Sequence, residues 1–149
     1  MTETHLGGMR IARILLVEDD PDDVEITQRA FDRAKIGNQL AVVNDGQAAL
    51  DFLYKHCADH DDPGVDMVLL DLELPKVDGR TVLREIWADR RLRHIPVIIL
   101  TASEREDDLI QSYKGGAVAF LRKPVSVERL LTAVGDLPDY RLYVARLAK

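Results

Sequence analysis

Cysteine is almost absent. Cys57 stands alone in 149 residues, so no disulfide can form within the chain. That usage fits a reducing compartment and predicts a cytoplasmic location. No apolar run is long enough to cross a bilayer, so no membrane partner is expected. Residues 1–10 lack the apolar core of a signal peptide and read as a flexible N-terminal lead. Positive charge is also short, with 20 Lys and Arg against 26 Asp and Glu, a net charge of −6. Phosphate recognition needs an electropositive footprint, so nucleic acid is not expected as a partner. Repeats and low-complexity segments are missing too. What remains is the length of one domain, with an ordinary apolar share of 46 %, enough to bury a core.

Short β-branched runs alternate with amphipathic runs at helical spacing, the βαβ signature of an α/β fold with a parallel sheet. Strands are expected over residues 11–17, 39–43, 66–70, 96–100 and 117–121. Pro21 opens the first helix, where its missing N–H costs nothing. Val24, Thr27, Ala30, Phe31 and Ala34 form the inner stripe of that helix. Asp45 caps a second helix that runs to about Cys57. Residues 56–64 read as a long acidic loop. Asp78-Gly79 leads into a third helix carrying Val82, Leu83, Ile86 and Trp87. Ser103 caps a fourth with Leu109, Ile110 and Tyr113. Ser126 caps a fifth with Val127, Leu130, Leu131 and Val134. Residues 137–149 form an apolar tail whose spacing suits a strand or a helix equally, and which needs a partner surface.

Four apolar runs each end in polar groups. Ile14-Leu15-Leu16-Val17 ends in Glu18-Asp19-Asp20, and Met67-Val68-Leu69-Leu70 ends in Asp71. Val97-Ile98-Ile99-Leu100 ends in Thr101, and the run to Leu121 ends in Arg122-Lys123-Pro124. In an open α/β sheet the working crevice lies outside the C-terminal strand ends. Acids, a hydroxyl and an amine thus share one edge. Carboxylates about 4 Å apart repel by roughly 4 kcal/mol at an effective dielectric of 20. Glu18, Asp19 and Asp71 therefore call for a divalent cation, and an all-oxygen set suits Mg²⁺. Asp71 is the natural nucleophile, able to form an acyl phosphate. Lys123, the Thr101 hydroxyl and the cation would each take one phosphoryl oxygen. The Glu73 backbone carbonyl is placed as a further metal ligand.

This constellation resembles the receiver domain of two-component response regulators. The likeness covers residues 11–137. It rests on Ile14-Leu15-Leu16-Val17-Glu18-Asp19-Asp20, Asp71 with Pro75 and Asp78-Gly79, Thr101-Ala102, and Phe120 with Lys123-Pro124. It implies a flavodoxin-like three-layer (βα)5 fold with strand order 2-1-3-4-5, occupying residues 11–136. It also implies phosphorylation of Asp71 by a histidine kinase, or by a histidine phosphotransfer protein. A switch is implied in which Thr101 moves toward the phosphoryl group and Phe120 turns inward behind it. The face built by the fourth helix, fifth strand and fifth helix is thereby remodelled. A cis Lys123-Pro124 bond is implied as well. Within the family, the opening Glu18-Asp19-Asp20-Pro21-Asp22-Asp23, the acidic loop and the tyrosine-bearing tail look like stand-alone regulators partnered with phytochrome-type kinases. That likeness implies a homodimer formed through residues 137–149.

Other readings stay open at this stage. Glu18 and Asp19 also suit a helix cap and first-turn acids. His56, Cys57 and His60 match no strong zinc spacing and read as a solvated loop. Arg90, Arg91 and Arg93 read as a cationic helix C-terminus. A phosphate shuttle or sink would use the same site, with no enzyme activity of its own. A small aspartate-based phosphohydrolase of the haloacid-dehalogenase type would carry Asp where Glu73 stands. A pseudo-receiver would not need Asp19, Asp71, Thr101 and Lys123 together.

Overall fold

The computed structural model describes residues 5–6, 9–10, 12–34, 38–57, 64–72, 74–101 and 118–135. It opens on a two-residue antiparallel pair, β1 (His5–Leu6) and β2 (Met9–Arg10). The sequence reading expects only a lead there. Five β-branched and leucine-rich runs then form the main sheet: β3 (Ala12–Val17), β4 (Asn38–Val43), β5 (Met67–Asp71), β6 (Val97–Thr101) and β7 (Val118–Arg122). Their spatial order is β4-β3-β5-β6-β7, and every pairing is parallel. This is the expected 2-1-3-4-5 order of a flavodoxin-like fold.

Helices cover both faces of the sheet, so its central strands are apolar on both sides instead of alternating. α1 (Pro21–Ala34) and α4 (Val127–Gly135) lie on one face. There Ile14, Leu16, Leu69, Ile98, Leu100 and Leu121 pack with Ala30, Phe31 and Leu130. α2 (Gly46–Cys57) and α3 (Gly79–Ala88) lie on the other. There Leu15, Val17, Val68, Leu70, Val97 and Ile99 pack with Leu53, Leu83 and Ile86. The inner stripe of α1 is as expected at Thr27, Ala30 and Phe31, with Val24 partly buried; the side chain of Ala34 lies outside the described part. Thr27 satisfies its hydroxyl on the Asp23 carbonyl at 2.8 Å.

Several boundaries differ from the sequence reading. β5 and β6 each run one residue further, because Asp71 and Thr101 still pair with the neighbouring strands. α2 ends at Cys57 as expected, so the loop read from His56 starts too early, and His56 and Cys57 form the last turn of the helix. The His56 ring lies 4.3 Å from that of Phe52, one helical turn earlier. α3 ends at Ala88, since Asp89 is extended and leaves the helix. Arg90, Arg91 and Arg93 therefore follow the helix in a turn, where Arg91 forks onto Asp89 at 2.9 and 3.2 Å. In α4, Leu130 is buried and Leu131 is 37 % exposed. One step of about 100° carries it off the inner face. Ser126 caps this helix by accepting from the Arg129 N–H at 3.2 Å. The fourth expected helix, with Ser103, Leu109, Ile110 and Tyr113, lies outside the described residues, as does the tail.

Candidate functional site

The site lies where β3, β5 and β7 end. Leaving β3, the Glu18 N–H donates to the Val43 carbonyl at 3.0 Å, and Asn44 Nδ2 donates to the Glu18 carbonyl at 3.1 Å. These bonds tie the strand end to β4 and hold the Glu18 side chain inward, fully buried. Asp19 is exposed. The cap of α1 is Asp20: its Oδ1 accepts from the Asp22 N–H at 2.9 Å, and its carbonyl accepts from Val24 N–H at 3.0 Å. With Asp20 capping, Glu18 and Asp19 are not spent on the helix.

Asp71 ends β5 with 8 % exposure. Its backbone is wedged from below by Gly79, the first residue of α3, where a Cβ would overlap the Asp71 carbonyl and Leu72 Cα. Gly79 N–H also donates to the Leu72 carbonyl at 3.0 Å. The connecting turn contains Lys76 in the left-handed region, φ 65°, with its ammonium 3.5 Å from Asp45.

Lys123 arrives from the end of β7, before a cis bond to Pro124, as expected. Its Nζ donates to Asp71 Oδ2 at 2.9 Å and to Asp23 Oδ2 at 3.1 Å. It also forms an ion pair with Glu18 Oε1 at 2.7 Å. That Glu18 oxygen is buried and has no aligned hydrogen bond. Burial pushes the Glu18 carboxyl up to about 7; the Asp71 carboxylate adds to the rise and Lys123 opposes it. Burial alone would lower the Lys123 pKa, but contacts with Glu18 and Asp71 outweigh it and hold the ammonium above its usual range.

One ammonium thus faces Glu18, Asp23 and Asp71. Oxygens of Glu18, Asp19 and Asp71 lie within 4.8 Å of one another. Ligands on opposite sides of a small hard cation at about 2.1 Å stand about 4.2 Å apart. The three carboxylates therefore need to close only slightly to hold one, and an all-oxygen set selects a hard divalent ion. The Glu18 oxygen that faces Lys123 without an aligned hydrogen bond is suited to such a ligand role.

The sequence-predicted residues fare as follows. Glu18, Asp19, Asp71 and Lys123 come together. Thr101 ends β6 with its backbone paired to Arg122, between the strands that carry Asp71 and Lys123; its side chain lies outside the described part. Phe120 pairs with Ile99 in β7 by its backbone, and its side chain is likewise outside. Glu73 lies outside the described residues. The sequence reading misses Asp23. Its signal is there, in the second acid pair after Pro21, but first-turn acids are commonplace.

A family model described as response regulator receiver domain matches residues 14–135. The chain belongs to that family, whose members act in signalling. It is 42 % identical over 132 residues to the probable methanogenesis regulatory protein FilR2 of Methanothrix harundinacea, covering 87 % of this chain and 83 % of that one. It is 37 % identical over 134 residues to response regulator Rcp1 of Synechocystis, covering 90 % and 91 %. One solved structure of Rcp1 is its Mn²⁺-bound form, at 35 % identity, TM-score 0.65 and 90 % coverage of each chain. The bacteriophytochrome response regulator AtBRR matches with TM-score 0.76 and 45 % identity, covering 85 % of this chain and 92 % of that one. Among the described residues, no helix is long and apolar enough to cross a membrane.

Proposed function

We propose that this receiver domain accepts a phosphoryl group on Asp71 from the phosphohistidine of a sensor histidine kinase, in a Mg²⁺-dependent reaction. The observation that carries the proposal is Lys123 Nζ resting 2.9 Å from Asp71 Oδ2 beside a carboxylate cluster able to hold a cation. Asp71 Oδ attacks phosphorus. The P–N bond to the donor imidazole breaks, its electron pair returns to nitrogen, and that nitrogen is neutral once the phosphoryl group has left. Glu18, Asp19 and Asp71 would hold Mg²⁺, and the Glu73 carbonyl would be a further ligand. When bound, the cation offsets charge on the phosphoryl oxygens. Lys123 stabilises a second oxygen and the Thr101 hydroxyl a third. Thr101 and Phe120 then carry the switch to the surface around β7.

The likeness to the bacteriophytochrome response regulator AtBRR favours a phytochrome-type kinase as the input. Residues 11–136 serve as the receiver unit, and residues 137–149 as the contact that forms a homodimer. Transfer takes place in the cytoplasm, where a kinase has ATP. The test is incubation with each autophosphorylated histidine kinase of the source organism, using the protein and its Asp71→Asn variant with Mg²⁺. Rapid labelling of the wild type, lost in the variant, is the expected result. Equal labelling of Asp71→Asn overturns the assignment.

A further inference from the structure

One charged group at the site has no part in the scheme above. Asp23 stands in the first turn of α1, and its Oδ2 lies 3.1 Å from Lys123 Nζ. The two side chains are 28 % and 16 % exposed, so the pair is better shielded than an ordinary surface ion pair. An ammonium has three donors. Three carboxylates meet this one: Glu18, Asp71 and Asp23. Glu18 and Asp71 also belong to the oxygen cluster that can hold a cation; Asp23 does not. A cation competes with Lys123 for those two carboxylates. Phosphoryl transfer then consumes an Asp71 oxygen. Asp23 is the partner that neither event removes.

Asp23 is also carried on a rigid element. α1 is anchored by the buried Thr27, Ala30 and Phe31, and the Asp23 carbonyl is itself bonded to Thr27 Oγ1. Lysine, by contrast, ends a flexible four-carbon stem and loses aim without fixed acceptors. We propose that Asp23 is a positioning residue for phosphoryl transfer, holding Lys123 Nζ over the acceptor while Glu18 and Asp71 engage the cation. The proposal rests on Asp71 being the acceptor.

Removing Asp23 has two separable effects. Loss of its charge eases the approach of an anionic donor, which shows in the half-saturating donor concentration. Loss of its hold on Lys123 slows the transfer step, which shows in the maximal rate. The experiment uses the full chain with Mg²⁺ and acetyl phosphate. In that step the Asp71 Oδ–P bond forms while the P–O bond to acetate breaks, and acetate leaves with the electron pair. Wild type, Asp23→Ala, Asp23→Asn and Asp23→Glu are compared by intact mass over time, after thermal unfolding has shown each to be folded. Asp23→Ala and Asp23→Asn should lower the maximal rate about tenfold. Asp23→Glu should recover most of it. Mg²⁺ affinity should stay close to wild type, because Asp23 is not a ligand. An unchanged maximal rate, or a shift in half-saturation alone, overturns the positioning role. Asp71→Asn is run alongside: labelling there overturns the acceptor assignment itself, whatever the Asp23 variants do.

Discussion

Glu18 is the most constrained side chain of the site. A buried carboxylate with one unaligned oxygen tolerates its charge only while Lys123 or a cation faces it. Its pKa is raised from 4.5 to about 7. The folded state therefore binds the Glu18 proton more tightly than the unfolded chain does. In the metal-free protein, the stabilisation from this group is fully present below pH 4.5 and lost as pH rises through about 7. Urea midpoints measured across that window should fall with rising pH, and Glu18→Gln should remove that component of the slope. If Glu18 is a ligand as proposed, Mg²⁺ affinity should run the opposite way, tightening until about pH 7, because it must first lose its proton. Calorimetry in two buffers of different ionisation enthalpy reads the released proton; no proton release at pH 6 would sink the idea. The acids themselves are plain in the sequence, but their division of labour is not. Asp20 caps, Glu18 is buried, and Asp23 reaches Lys123 across a separation of 100 residues. Only the pairing of α1 with the far end of the chain reveals the last contact.

At the scale of elements, Gly79 matters most. As the first residue of α3 it lets that helix begin directly against the backbone of Asp71 and Leu72. Gly79→Ala must push the two apart, at a cost of about 2 kcal/mol. Denaturant unfolding should show that loss, and phosphorylation should slow as well if the displaced backbone carries the acceptor, as proposed. A variant with wild-type stability would show that α3 can slide without cost. Sequence periodicity does find every strand of the main sheet to within a residue or two, because fully apolar runs between turn residues have few alternatives. It groups Leu131 with Leu130 at helical spacing although Leu131 is exposed, since a helix of nine residues leaves little room to tell neighbouring apolar positions apart. It ends α2 at Cys57 as found, but begins the following loop at His56, two residues too early.

At the scale of the whole molecule, the strand order is the one the family resemblance implies; right-handed crossovers narrow the possible orders but do not select it alone. The sequence does not suffice for assembly. If residues 137–149 bury their apolar positions against a second copy, deleting them should shift sedimentation from dimer toward monomer, and an unchanged profile would count against that contact. The covalent order of the site has a consequence for biosynthesis. Asp23 and Asp71 are made early, but the ammonium that joins them comes from residue 123, with separations of 100 and 52 residues in its hydrogen bonds. Closing such distant contacts is entropically late. A nascent chain that has emerged only as far as β6 carries the carboxylates without their counter-charge. On the proposed mechanism, competence to receive a phosphoryl group therefore waits until β7 has docked.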